Sequence, residues 1–300
     1  MKRGFAVSFS WLFSIMAGIA IFLFLIGFAY KNTDLFGTLT SQIAVEELDT
    51  AFSGFKGSLV STNLDFGKPV EIKLNCIDDV GEKIFVNNKG GKTLKGKLVF
   101  GPSLMEDSEY IIWTKDWRVP FKVTNFIYLI EKNKRYEFIG NKHDETDISG
   151  REVFNVMDIP EQMKSLVSNG GEFVDFKELS SYGGCVNNEK IIYWDYDEDL
   201  KDVHGFICLN REEFEFVGSA MMYAAIFSDN DDKYFRCMYE IAEDKAEIIA
   251  KIHREKLNLN PICGININFN LLDVSSIDRV NDLVSKNDLL LRENNCRSVY

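Results

Sequence analysis

The chain has 300 residues, of which 46 are acidic and 34 are basic, giving a formal net charge of −12 at pH 7. This balance disfavours nucleic acid and anionic lipid head groups as partners, because both require cationic patches. Hydrophobic residues make up 46% of the chain. The composition therefore favours a folded domain with a real core over a disordered chain.

The first element is the run at 5–30, which contains no Asp, Glu, Lys, Arg or His. A bilayer core of about 30 Å requires roughly 20 apolar residues in helical form. The run is longer than the apolar part of a cleaved secretory signal, which is usually about 7–15 residues. It therefore predicts a transmembrane signal anchor that binds the lipid bilayer.

Charge on the two sides of this span predicts its orientation. Lys2 and Arg3 are the only basic residues before it, and short cationic flanks stay in the cytoplasm. We therefore expect residues 1–4 to form a cytoplasmic tip and residues 31–300 to lie outside the plasma membrane. The outer part keeps 32 basic and all 46 acidic residues, a net charge of −14.

The start of the chain resembles the processing site of type IV prepilins, in which a basic residue and a glycine precede the cut. Arg3 and Gly4 precede Phe5 here, so the resemblance implies cleavage after Gly4, with Phe5 as the mature N-terminus. It covers about the first 55 residues. Many pilins carry Glu at the fifth mature position, where this chain has Phe9, and this departure counts against polymerisation.

Residues 31–56 predict an amphipathic stalk helix, because apolar side chains recur at spacings of three and four, including Ile43, Leu48 and Phe52. Pilins have the same plan of an apolar half-helix, an amphipathic half and a β-rich head. A juxtamembrane helix docked on its own domain explains the pattern equally well.

Residues 57–140 predict a β-rich domain that includes two strands about a polar turn at 132–135. Trp113 and Trp117 would share one strand face. That placement suits core packing, which the surrounding apolar sequence favours, or an aromatic platform for a sugar or peptide.

The polar stretch 140–150 is expected to be a loop between two domains. Its acidic residues and histidine offer an alternative as metal ligands, although a solvated loop is favoured. These residues are His143, Asp144, Glu145 and Asp147.

Residues 151–300 predict an α/β domain. A strand at 153–157, a helix at 158–169 and a strand at 173–176 outline a βαβ unit, for which parallel pairing is expected. The apolar run at 220–227 is typical of a central strand covered on both faces. Two helices are expected near the C-terminus, at 232–257 and from 275 to about 293, with an alternating strand at 265–271 between them. The predicted fold class is α+β with a βαβ-type α/β portion.

Six cysteines predict an oxidising compartment and up to three disulfides. No C-x-x-C pair is present, which disfavours a zinc site. The candidates are Cys76, Cys185, Cys208, Cys237, Cys263 and Cys296.

Chain length limits how these cysteines pair. Cys237 and Cys263 cannot join if the helix at 232–257 is continuous, because six residues cannot retrace about 30 Å of helix. An antiparallel last helix would return Cys296 to Cys237, which is the favoured pair. The other expected pairs are Cys185–Cys208 and, by elimination, Cys76–Cys263.

The sequence contains no G-x-S-x-G, H-E-x-x-H or G-x-G-x-x-G pattern, and no catalytic, cofactor-binding or metal-binding residue is assigned. A calcium loop beginning at Asp195 fails, because Leu200 and Phe206 occupy its glycine and bidentate-acid positions. Two alternatives stay open: a triad through His204, and an irregular cation site among acidic residues. Those acids are Asp195, Asp197 and Asp199, or Asp229, Asp231 and Asp232.

The chain as a whole is similar to uncharacterised membrane-anchored proteins of small-genome archaea. The matching features are a KRG leader with an SFSW-containing anchor, the W-x-x-x-W-x-x-P-F stretch starting at Trp113, and the ending from Cys296 to Tyr300. This resemblance implies no known activity.

Three functional hypotheses follow. The first is a non-enzymatic, membrane-anchored outer domain that binds other envelope proteins or itself. The second is a pilin-like subunit processed after Gly4, and the third is a secreted-side hydrolase that uses the α/β half.

Overall fold

A computed structural model describes residues 9–55, 61–77, 81–119, 121–140, 161–167, 170–186, 189–198, 200–230, 232–258, 280 and 284–285. Within these residues the protein is a mixed α+β structure with two β-sheets and four α-helices. The helices are α1 (Phe9–Phe55), α2 (Glu161–Lys164), α3 (Ser219–Phe227) and α4 (Asp232–Asn258).

The first sheet has six strands in the order β3-β2-β1-β5-β6-β4. Its strands are β1 (Ser61–Ile77), β2 (Gly81–Val86), β3 (Lys89–Thr93), β4 (Leu98–Phe100), β5 (Leu104–Arg118) and β6 (Lys122–Glu131). All described pairings in it are antiparallel except that between β4 and β6.

The second sheet has five strands in the order β11-β10-β9-β8-β7. They are β7 (Tyr136–Gly140), β8 (Glu172–Glu178), β9 (Ile191–Asp197), β10 (Asp202–Leu209) and β11 (Glu212–Val217). The strands predicted on either side of the 132–135 turn do not form a hairpin, because β6 belongs to the first sheet and β7 to the second. β8 does run parallel to a preceding strand, which is β7; the predicted strand at 153–157 lies outside the described residues.

α1 is one helix of 47 residues, about 70 Å long at about 1.5 Å per residue. Its last part packs against β2 and β3, where Ala44, Val45, Leu48 and Phe52 are buried. The predicted stalk is thus helical as far as residue 55, and it is amphipathic over 41–55, where its side chains are described. Ile43, which the spacing placed on the inner face, is instead 60% exposed.

The earlier part of α1 has its side chains described at 14–28, and nearly all of them are exposed. Among the described residues, none of the helices meets the combined length and apolarity of a membrane span.

α3 corrects the prediction of a central strand at 220–227. All nine of its residues are buried, and it packs against strands of both sheets. A helix that is buried on every side has no polar face, so its sequence carries no 3.6-residue period that distinguishes it from a buried strand. Gly218 precedes it with φ of +94°, in the region that glycine favours.

α4 confirms the predicted helix at 232–257. It packs on β1, β4 and β6 of the first sheet, with Phe235, Met238 and Ala242 buried. Ile248 and Ile252, near its end, are 56% and 42% exposed. Most of the chain after α4 lies outside the described residues, including the predicted strand at 265–271.

Two disulfides are formed among the residues that the structure describes. Cys185 and Cys208 are paired as predicted, with their Cα atoms 5.4 Å apart. The predicted Cys237–Cys296 and Cys76–Cys263 pairs are wrong, because Cys237 is bonded to Cys76 with a Cα separation of 6.2 Å. The lengths of the segments alone could not reveal that α4 crosses the end of β1, which brings Cys237 to Cys76. Cys263 and Cys296 lie outside the described residues.

Candidate functional site

The carboxyl end of α3 is held by a buried lysine. Lys190 directly precedes β9, and its side chain has no exposed surface. Its ammonium group donates to Glu172 Oε1 at 2.6 Å, to the carbonyl of Ile226 at 3.1 Å and to the carbonyl of Ser228. All three donors are therefore used, and two of them satisfy carbonyls at the end of the helix.

Glu172 links this lysine to the surface. Its Oε2 atom lies 2.8 Å from Lys134 Nζ, while Oε1 binds Lys190. Burial acts to raise the pKa of Glu172, but the charges of Lys190 and Lys134 hold it below its ordinary value. Burial lowers the pKa of Lys190, against the opposing charge of Glu172.

The amino end of α3 faces an acid. Asp202 Oδ1 accepts hydrogen bonds from the backbone N–H groups of Ser219 at 2.8 Å and Val203 at 2.9 Å. An acid at the start of a helix and a cation at its end both complement the helix dipole. Asp202 and Lys190 therefore stabilise the buried helix at its two ends.

Within the described part of the chain, two buried polar atoms near the carboxyl end of α3 have no hydrogen-bond partner: the hydroxyl oxygen of Tyr136 and Oδ1 of Asp229. The other carboxylate oxygen of Asp229 accepts from the Ser103 backbone N–H at 2.9 Å and hydroxyl at 2.6 Å. Burial raises the pKa of Tyr136 well above its ordinary value, and Glu172 and Asp229 add to the shift. The phenol is therefore neutral at physiological pH.

Trp113 and Trp117 belong to the core, as the favoured prediction held. They are 5% and 3% exposed. Trp113 stacks on Tyr128 with ring centroids 4.8 Å apart, and Trp117 Nε1 donates to the carbonyl of Val217 at 2.9 Å. The two rings join the first sheet to the second sheet and α3, so they form no exposed platform.

The acidic candidates near β9 form no metal centre in the part of the chain that the structure describes, where no group of three or more potential ligands is found. Asp197 Oδ1 accepts from the Leu200 backbone N–H at 2.9 Å, in the turn before β10. Asp195 lies opposite His204 in the register of β9 and β10. His204 Nδ1 is buried and has no hydrogen-bond partner among the described residues.

Several other sequence candidates lie outside the described residues. They are Gly4 and Phe5 of the processing site, His143, Asp144, Glu145 and Asp147 of the polar loop, and Asp199 and Asp231.

An open groove of about 870 Å³ runs along α1 where the helix meets β3. Its apolar walls include Ile43 and Ala51, and its charged walls include Glu46, Glu47 and Lys92. Lys92 Nζ is bound to Glu46 at 2.5 Å and to Asp49 at 2.9 Å. The groove is therefore an apolar recess with an acidic rim.

Sequence reasoning missed Lys190, Glu172 and Asp202, because a charge in a short strand normally indicates a solvent-exposed position. One weak signal was present: Lys190 directly precedes the apolar run Ile191, Ile192 and Tyr193, which is buried.

The comparisons with known proteins add no relative. No family model, no curated protein and no solved structure matches this chain.

Proposed function

We propose that this chain is a single-pass membrane protein of the cell envelope. Residues 5–30 form the anchor, and residues 31–300 lie outside the plasma membrane. The outer domain has a binding or structural role, with other envelope proteins or further copies of itself as partners.

The exposed apolar half of α1 is the observation that carries this proposal. Its large side chains are exposed on every side of the helix, by 42% to 70%. A helix that is apolar all round requires lipid or another protein to cover it. The exposed residues are Ile15, Met16, Ile19, Ile21, Phe22, Leu23, Phe24, Leu25, Ile26 and Phe28.

The contacts of the last part of α1 support a fixed connection between anchor and outer domain. Leu48 and Phe52 have no exposed surface, and Asp49 forms ion pairs with Lys92 and Lys97. Because α1 is one continuous helix, these contacts hold the outer domain at the end of the anchor. Lys97 also donates to the Asp49 carbonyl at 2.9 Å, which strengthens the attachment.

The two disulfides support an outer location. Disulfides persist in extracytoplasmic compartments and are rare in the cytosol. Cys76–Cys237 joins β1 to α4, and Cys185–Cys208 joins the segment before β9 to β10, so both connect separate parts of the fold.

The proposal does not include hydrolysis. The titratable side chains that meet at the end of α3, Lys190 and Glu172, bond to each other, to Lys134 and to main-chain carbonyls. Their arrangement stabilises the buried helix.

Alkaline extraction of membranes tests the anchor. We expect the wild-type chain to stay in the membrane pellet, and the double variant Leu23→Glu, Ile26→Glu to be released. Ile43→Glu is the matched control, since Ile43 is also exposed on α1 but lies beyond the proposed span. Release of the wild-type chain by alkali would overturn the proposal.

A pilin-like subunit is the second candidate, favoured by the continuity of α1 from its apolar half into the part that packs on the first sheet. This is the half-helix, half-stalk and β-rich head plan of pilins, with Phe9 as the departure. Mass spectrometry of the purified chain decides it. Phe5 as the mature N-terminus supports processing, and an intact Met1 excludes it.

A further inference from the structure

We propose that a proton held between Glu82 and Tyr234 is a pH-sensitive latch that fixes α4 to the first sheet and opens when Glu82 ionises. Glu82 lies on β2 and Tyr234 on α4, and the two side chains are 3% and 4% exposed.

The latch lies where the first sheet curls back toward itself. β2 and β4 stand four positions apart in the strand order, yet the Glu82 side chain reaches the backbone of β4. Its Oε2 atom accepts from the Val99 backbone N–H at 3.3 Å. Tyr234 meets the carbonyl of the same residue at 2.7 Å. Glu82 and Tyr234 thus bind the backbone N–H and carbonyl of Val99, as a neighbouring strand would.

Counting protons favours a protonated Glu82. The hydroxyl oxygen of Tyr234 lies 2.5 Å from Glu82 Oε1 and 2.7 Å from the Val99 carbonyl oxygen. A phenol has one proton, and a carbonyl has none to donate. Each contact is a full hydrogen bond with its own proton when Glu82 donates to Tyr234 while Tyr234 donates to Val99. Ionised Glu82 would compete with Val99 for the single phenol proton.

The charges around Glu82 act to lower its pKa, but their effect is smaller than that of burial. Burial is the largest influence and raises the pKa of Glu82 to about 8. When Glu82 is ionised, Tyr234 and the Val99 N–H can donate to it, and these hydrogen bonds, together with the charges of Lys245 on α4 and Lys97 between β3 and β4, act to lower its pKa. Lys97 is paired with Asp49, and Lys245 donates to the Gly96 carbonyl at 2.9 Å. Burial raises the pKa of Tyr234 well above its ordinary value, and Asp229 contributes to that shift.

The sign of the pH effect follows from this raised pKa. Between the ordinary value of 4.5 and about 8 the folded chain keeps a proton that the unfolded chain has released. The folding equilibrium constant therefore falls as pH rises, by up to about tenfold per pH unit in that window, and becomes level above it. Below the window Glu82 is neutral in both states, and the latch is fully closed.

The neighbouring disulfide limits how far α4 can move from the first sheet when the latch opens. Cys76 lies directly opposite Glu82 in the register of β1 and β2, and its partner Cys237 is about one helical turn after Tyr234. α4 therefore stays tethered when the latch opens. The expected change is a local loosening of the helix on the sheet.

Glu82→Gln is the decisive variant, measured in the full-length chain in detergent with its disulfides intact. Glutamine copies the neutral acid, because its amide can donate to Tyr234 while its oxygen accepts from Val99. Glu240→Gln, at an exposed position of α4, is the matched control. Urea unfolding followed from pH 5 to pH 9 gives the dependence of the folding equilibrium on pH for all three proteins.

We expect the folding equilibrium constants of the wild type and Glu240→Gln to fall steeply as the pH rises. That of Glu82→Gln should fall far less. We also expect an infrared band of a protonated carboxyl group at neutral pH in the wild type, absent in Glu82→Gln. Equal pH slopes in the wild type and Glu82→Gln would overturn the latch, as would identical carboxyl bands. Neither outcome bears on the membrane anchor.

Discussion

Lys190 Nζ and Glu172 Oε1 lie 2.6 Å apart at the carboxyl end of a helix with nine buried residues. Because the lysine also binds the carbonyls of Ile226 and Ser228, it connects the second sheet to α3. Glu172 is the first residue of β8 and Lys190 directly precedes β9. The pair therefore also joins two strands of the second sheet.

Lys190→Met is therefore expected to destabilise the fold by about 3–5 kcal/mol, because two buried carbonyls lose their donor and Glu172 keeps only Lys134 as an ionic partner. The comparison variant is Lys177→Met, which removes a half-buried ion pair with Asp175 and should cost about 1 kcal/mol or less. Urea unfolding of both variants measures the difference. Equal losses would show that the Lys190 contacts contribute little.

Asp202→Ala tests the other end of α3. The change removes the acceptor for the Ser219 backbone N–H and the acid that complements the helix dipole, at an expected cost of about 1–2 kcal/mol. Asp202→Asn keeps an oxygen acceptor without the charge and should lose less. If the alanine and asparagine variants unfold at the same urea concentration as the wild type, Asp202 does not stabilise the helix.

Trp117→Phe tests the contact between the two sheets. It deletes the N–H that binds the Val217 carbonyl and leaves that buried carbonyl unsatisfied, which costs about 1–3 kcal/mol. Trp194→Phe, at a half-buried position, should cost less. The same unfolding measurement ranks them, and a reversed order would contradict the role given to Trp117.

Peptide mapping without reduction tests the disulfides. We expect linked peptides for Cys76–Cys237 and Cys185–Cys208. A Cys237–Cys296 peptide would contradict the placement of α4 on β1.

Periodic elements could be predicted from the sequence, and elements fixed by tertiary contacts could not. The stalk part of α1 and the helix α4 each have one apolar stripe, so their spacing identifies them. α3 has no polar side, and its helical form depends on contacts that its own residues do not encode locally. β7 likewise has the pattern of a strand, but the sheet it joins depends on β8, more than 30 residues later.

The same limit applies to the sites. The cysteine count predicted disulfides, and the Cys185–Cys208 pair was predicted from neighbouring segments. Glu82 and Lys190 are ordinary charged residues by sequence, and only the packing of distant elements shows that both are buried. A proton on Glu82 becomes evident once Tyr234 and Val99 are placed beside it.

The position of the outer domain relative to the membrane is the central claim. Its most direct test is labelling of intact cells with a membrane-impermeant thiol reagent, using Lys201→Cys in the exposed turn before β10 and Lys2→Cys in the tip. We predict that Lys201→Cys is labelled in intact cells and that Lys2→Cys is labelled only after lysis. Protection of Lys201→Cys until lysis would contradict the account.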